Sequence, residues 1–277
     1  MSTLTISTIQ ANLVWEDKAA NLSNLESKIG GITGKTELVV LPEMFSTGFT
    51  MHAEMLAETM QGPTVKWMRQ VAATRKIILT GSLIIKEEGQ FFNRLIWMLP
   101  NGEYGYYDKR HLFGLSGEDE FYTPGNKRLI ASVKGWKINL QICYDLRFPV
   151  WSRNRVVPSE QTPPASAPTE DGAATSEYDL LIYVANWPSK RSNAWKVLLN
   201  ARAIENQCFV VGVNRVGEDG NKLLYNGNTM VVDPLGEVLY QVDNREDVST
   251  IILRKEILSD VRSKLPFWKD ADAFTLL

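Results

Sequence analysis

The chain has 277 residues, 44% hydrophobic and 22% charged, the make-up of a globular protein with enough apolar material for a sizeable core. Lys and Arg number 30 against 32 Asp and Glu, a net charge of −2 with no block of like charge, so no nucleic-acid partner is expected. No apolar run approaches the roughly 20 residues of a membrane span, and the start MSTLTISTIQ lacks the basic and apolar regions of a secretory signal, so no membrane partner is expected.

Residues 3–10 alternate polar and apolar, as a strand with one covered face would. Residues 18–29 have helical spacing and stop at Gly30-Gly31, and 37–41 reads as a short apolar strand. Gly62-Pro63-Thr64 opens a second helix that runs to about residue 76. Strands are predicted at 77–85 and 91–98, joined by a polar turn, and at 104–108 after the Asn101-Gly102 turn. Further strands are predicted at 136–142, 179–184, 209–213, 229–232 and 250–253. The helix at 194–206 is expected to bury one stripe made of Ala194, Val197, Leu198, Ala201 and Ile204. Strands interleaved with helices give a layered α/β or α+β domain, with no linker that would split it. The stretch 157–176 (VPSEQTPPASAPTEDGAATS) has no apolar period and cannot offset its ordering entropy by burial, so it reads as an inserted, exposed loop.

Three predicted strands end at a reactive side chain: Glu43 in ELVVLPE, Lys109 in YYDKRHLF and Cys143 in LQICYDLRFP. Carboxylate, amine and thiol at strand ends can carry acyl transfer, since sheet enzymes gather their sites there. A thiol needs a base or a cation before it attacks, and Glu43 can take its proton and return it to a leaving ammonia. Lys109 can hold the charge of a tetrahedral intermediate, with the backbone N–H of Tyr144 as a second oxyanion donor. Taken singly, each residue has a blander reading: Cys143 as core, Glu43 as a turn cap, Lys109 as a surface cation. Cys208, in the apolar run QCFVV, is expected in the core. Two cysteines do not make a disulfide framework, so free thiols in a reducing cytoplasm are expected. His52 and His111 lack metal-ligand spacing, so neither a metal nor a cofactor is expected; His111 reads as a hydrogen-bonding residue beside Lys109. The GITGKT stretch at 31–36 follows a helix rather than a strand and reads as a plain loop.

LPEMF at 41–45, DKRHLF at 108–113 and ICYDLRFP at 142–149 resemble the three catalytic segments of the nitrilase superfamily, in order and in separation. The likeness spans nearly the whole chain, to DPLGE at 233–237. ANWP at 185–188 and RAIENQCFVVGVNRVG at 202–217 resemble the omega-amidase branch. The resemblance implies a four-layer α-β-β-α sandwich, a homodimer formed across a helical face, and Glu43, Lys109 and Cys143 as catalytic triad. It also implies a second glutamate ahead of Pro124-Gly125, which maps onto Glu118, with Glu120 the competitor in the same acidic loop. The implied substrates are monoamides of short 2-oxo dicarboxylic acids, which need a cation for the remote carboxylate. Arg147 fits that need, its forked N–H donors matching a carboxylate; an ion pair between Arg147 and Asp145 is the competing reading. Phe45, Phe113, Tyr144 and Trp187 are candidates for the wall of the substrate slot. HLFG stands where many relatives have HLFD. Nitrilases, N-carbamoyl amino acid amidohydrolases and deaminated-glutathione amidases share the three residues. Outside the superfamily, a thiol redox protein and a partner-binding scaffold are the alternatives.

Overall fold

The computed structural model describes residues 2–158, 174–272 and 274–275. The first half supplies β1 (Thr3–Gln10), α1 (Lys18–Gly30), β2 (Leu38–Val40), α2 (Ala53–Leu56), α3 (Pro63–Arg75), β3 (Ile78–Glu87), β4 (Gln90–Met98), β5 (Tyr104–Asp108) and α4 (Glu118–Phe121). The second half adds β6 (Leu129–Val133), β7 (Trp136–Ile142), α5 (Pro149–Ser152), β8 (Val156–Pro158), β9 (Ala174–Ser176), β10 (Leu180–Val184) and α6 (Ser192–Asn206). It ends with β11 (Phe209–Val213), β12 (Val216–Glu218), β13 (Leu224–Val232), β14 (Val238–Asp243), β15 (Asp247–Arg254) and α7 (Lys255–Lys264).

Two mixed sheets form, in the orders β15-β1-β2-β3-β4-β5 and β12-β13-β11-β10-β7-β6, with β14 paired to β13. Period-2 side-chain alternation sorts each strand between two cores. Leu38 and Val40 of β2 face Leu180, Ile182 and Val184 of β10 in the core between the sheets. Their neighbours Val39 and Leu41 turn the other way, onto Val65, Met68 and Ala72 of α3 and Leu25 of α1. On the opposite side, Leu181 and Tyr183 of β10 pack on Trp195 and Leu199 of α6. The layers therefore run helix, sheet, sheet, helix, the expected α-β-β-α sandwich.

Local signals explain the helix starts. Asp17 caps α1, its side chain accepting from Ala20 N at 2.9 Å, and Pro63 occupies the first turn of α3, where no N–H partner is needed. On α6 the buried stripe differs from the expected one. Trp195, Leu199, Arg202, Ala203 and Asn206 point inward, while Val197 and Ile204 are 56% and 54% exposed. The stripe is rotated by one residue, about 100°, because two polar side chains on the inner face find hydrogen-bond partners there. Arg202 Nη2 donates to Leu146 O at 2.5 Å and Asn206 Nδ2 to Arg202 O at 2.9 Å. The segment expected as a loop at 157–176 begins and ends in a two-stranded ladder, β8 with β9; residues 159–173 lie outside those described. Among the described residues no helix is long and apolar enough to cross a membrane.

Candidate active site

The chain leaves β2, β5 and β7 at Glu43, Lys109 and Cys143, and the stacking of the two sheets brings those strand ends together. Two exits use left-handed backbone at residues with side chains: Met44 at φ 42° and Cys143 at φ 44°. That region is costly for L-residues, and strain of this kind collects where a side chain must be aimed. Tight backbone approaches make the geometry. A Cβ on Gly81 would lie 2.7 Å from Phe45 Cδ1, so the turn after Glu43 closes over β3 only because residue 81 has no side chain. A Cβ on Gly125 would lie 2.2 Å from Asp108 O; glycine there lets its N–H reach Lys109 O at 2.9 Å.

Lys109 Nζ sits 2.9 Å from Glu43 Oε1, 3.0 Å from Glu118 Oε1 and 2.8 Å from Glu118 Oε2, and all three side chains are fully buried. Glu118 is thus the glutamate that meets Lys109, whereas Glu120 is exposed on the outside of the same helical turn. Asn93 Nδ2 bridges the two carboxylates, 2.8 Å from Glu43 Oε1 and 3.3 Å from Glu118 Oε1. Asn186, just past β10, donates its N–H to Glu43 Oε2 at 2.8 Å, and its carbonyl lies 3.9 Å from Cys143 Sγ. Phe113 N closes the ring on Glu118 Oε2 at 2.6 Å. Asn93 and Asn186 were not singled out from sequence. For Asn93 the available hint was a lone Asn within the buried run of β4, where a polar residue must have partners; Asn186 stands in the ANWP segment.

Charge balance sets the protonation states. Burial opposes the Lys109 charge, but Glu118 and then Glu43 more than compensate and hold the ammonium above the ordinary lysine range. Burial, countered in part by Lys109, raises the Glu118 carboxyl. Burial first and the Glu43 carboxylate second push the Cys143 thiol well above its usual range, with Lys109 pulling the other way. Burial together with the two carboxylates outweighs the one ammonium, so this setting favours the thiol over the thiolate. Cys208 is a second free thiol, fully buried between α6 and its sheet.

A cavity of about 110 Å³ opens beside this group, lined by Lys109, Cys143, Phe113, Tyr144, Arg147 and Trp187. Phe45 does not join them; it is fully buried in the core under α3, against Trp67. Arg147 is not paired with Asp145. That carboxylate accepts from Ile142 N, Tyr107 Oη and both His111 N and Nδ1, while the Arg147 guanidinium lies 5.0 Å above the Trp187 ring. His111 stacks on Phe148 at 3.8 Å and does not line the cavity. The outer wall adds Arg191, Asp219 and Tyr225, which sequence reasoning missed.

A four-layer sandwich that sets a thiol beside a buried carboxylate–ammonium–carboxylate group at the sheet ends defines the nitrilase-type hydrolases. Comparison with known proteins agrees. The family profile described as Carbon-nitrogen hydrolase matches residues 5–161 and 170–262. The chain is 41% identical over 277 residues to Omega-amidase YafV of Escherichia coli strain K12, covering 100% of both chains. It is 28% identical to 2-oxoglutaramate amidase of Bacillus subtilis strain 168, over 96% of each. Among solved structures, XC1258 from Xanthomonas campestris, a CN-hydrolase superfamily protein with an arsenic adduct in its active site, superposes with a TM-score of 0.92 at 44% identity over 100% of both chains. The chain belongs to the carbon-nitrogen hydrolase family of the nitrilase superfamily, whose members hydrolyse amides and related carbon–nitrogen bonds.

Proposed function

We propose that this chain is an omega-amidase that hydrolyses the terminal amide of short 2-oxo dicarboxylic acid monoamides, such as 2-oxoglutaramate and 2-oxosuccinamate, to the keto acid and ammonia. The observation that carries the reading is one small cavity holding the Cys143 thiol and the Lys109 ammonium at its base and the Arg147 guanidinium in its wall. At about 110 Å³ it is well below the roughly 300–1,000 Å³ of a drug-sized pocket, which suits a short substrate. The names of the two amidase relatives above point to the same substrate class.

In this reading Glu43 takes the thiol proton as sulfur attacks the amide carbon. The oxyanion is held by the Tyr144 N–H and by the charge of the Lys109 ammonium, which lines the cavity. Glu43 returns the proton to nitrogen, the C–N bond breaks, ammonia leaves and a thioester remains. Water, deprotonated by Glu43, then attacks the thioester, releasing the acid and restoring the thiol. Glu118 keeps Lys109 charged and aimed. Arg147 pairs with the distal carboxylate, and Phe113 and Trp187 bound the methylene chain.

The same reading takes residues 1–277 as one domain in a cytoplasmic homodimer. The outer face of α6 supports the pairing: Val197 and Ile204 lie exposed there, and exposed Leu235 belongs to the turn that packs Gly236 against Ile204. The test is ammonia release from 2-oxoglutaramate, a nitrile and an N-carbamoyl amino acid in parallel. Preference for 2-oxoglutaramate is expected, with turnover abolished in Cys143→Ala and retained in Cys208→Ala. A large preference for either competing substrate would refute the assignment.

A further inference from the structure

Two guanidinium groups, not one, face the cavity. Arg191 ends the turn Ser189–Arg191 that leads into α6, and its backbone is pinned: its N–H donates to Pro188 O at 2.9 Å and its carbonyl accepts from Trp187 Nε1 at 2.8 Å. Its guanidinium lies 5.0 Å over the Phe113 ring, as that of Arg147 lies 5.0 Å over Trp187. The two cations therefore lie over two aromatic walls of one cavity. Among the described residues neither guanidinium has a carboxylate partner. Asp219, the carboxylate on the outer wall, is already engaged. Its Oδ1 accepts from Asn221 N and Leu223 N at 2.8 and 3.0 Å, and its Oδ2 from Tyr225 Oη at 2.8 Å. It holds the turn that borders the cavity.

We infer that Arg191 is a specificity-determining residue: with Arg147 it cradles the 2-oxo acid end of the substrate and excludes substrates carrying a 2-ammonium group. This rests on the omega-amidase reading above and deepens it. One guanidinium fork fills two of the roughly four acceptor sites of a carboxylate. A second fork can take the remaining sites or the 2-oxo oxygen of a keto acid, an acceptor that lies beside the carboxylate. An amino acid amide of the same length, such as glutamine, offers an ammonium at that position. It brings a positive charge between two fixed positive charges, with no free carboxylate in the wall to receive it. The cradle thus separates compounds that are alike in length and in reacting amide.

The experiment compares kcat/KM for 2-oxoglutaramate, glutamine and uncharged butyramide in the wild type, Arg191→Gln and Arg191→Lys. Arg191→Gln is expected to lower the 2-oxoglutaramate-to-butyramide ratio by about tenfold or more, the worth of one charge-assisted contact. The loss should appear mainly in KM, and the preference for 2-oxoglutaramate over glutamine should narrow by a similar factor. Arg191→Lys, which keeps the charge and loses the fork, should fall between. Unchanged ratios, or an equal loss on all three amides, overturn the inference. Calorimetric binding of the product 2-oxoglutarate to Cys143→Ala, with and without Arg191→Gln, separates this from a failure of the parent reading. Weaker binding in the double variant supports the cradle even if 2-oxoglutaramate is not turned over, and equal or absent binding removes it.

Discussion

Replacing Glu118 by Gln isolates what the second carboxylate contributes, because shape is kept while charge and one acceptor are lost. In the folded protein both oxygens face only donors: Oε1 meets Lys109 Nζ and Asn93 Nδ2, and Oε2 meets Lys109 Nζ and Phe113 N. Whichever way a glutamine amide is turned, its NH₂ faces two donors. The loss of a charge-assisted bond is worth about 1.5–3 kcal/mol, and a buried donor left unmatched costs about 1–3 kcal/mol. Together these give roughly 3–6 kcal/mol. If most of it falls on the placement of Lys109 in the transition state, kcat drops by about 10²–10⁴-fold. The same substitution removes a negative charge that raises the Cys143 thiol, so alkylation of Cys143 by iodoacetamide at fixed pH should become faster as turnover falls. Steady-state ammonia release and mass-spectrometric labelling rates measure the two effects. Glu120→Gln, at the exposed position, is the control and should leave both unchanged. Turnover within threefold of the wild type in Glu118→Gln, or an equal loss in Glu120→Gln, would refute the reasoning.

Two more outcomes are expected. Asp145 accepts four hydrogen bonds and ties the turn that begins at Cys143 to the segment on either side of Lys109, so Asp145→Asn should lose about 2–4 kcal/mol of stability and lower kcat more than it raises KM; urea unfolding and steady-state kinetics check this. Burial raises the Cys143 and Cys208 thiols and the Tyr107 and Tyr178 phenols, so as pH climbs past about 8.5 the unfolded chain releases these protons first. The native state then holds more protons than the unfolded one, and stability falls with rising pH. Calorimetric Tm should decline above that point, and a flat Tm to pH 10 would count against it.

Much of the layered fold was legible because the alternation in β1, the continuous apolar runs of β2, β10 and β11 and the turn residues between the strands act locally. What escaped depended on partners. β14 is largely exposed, and its side chains carry little burial pattern to read. α7 is short, with only Leu258 and Val261 buried, and the inner face of α6 is half polar. The site divides the same way. Glu43, Lys109 and Cys143 stand at strand ends within recognisable segments. Asn93 sits mid-strand, Asn186 acts through its backbone N–H, and Arg191 matters only because Phe113, far away in sequence, lies beneath it. No local pattern encodes contacts that arise when two sheets stack.

In the mechanism we propose, the choice of Glu43 over Glu118 as proton acceptor follows from counting lone pairs. Two carboxylates offer four oxygens with room for about two donors each. Glu43 Oε1 is filled by Lys109 and Asn93, Glu118 Oε1 by the same two, and Glu118 Oε2 by Lys109 and Phe113 N. Glu43 Oε2 receives only the Asn186 N–H, so among the described residues it alone keeps an open acceptor position. The carbonyl of Asn186 lies 3.9 Å from the Cys143 thiol, so the residue that binds Glu43 Oε2 also borders the cysteine. A neutral thiol facing the single vacant acceptor of a net-negative group has one outlet for its proton. It uses that outlet when an incoming carbonyl lets charge pass from sulfur to an oxygen near Lys109. In the proposed mechanism, proton removal and attack are thereby coupled to the presence of substrate.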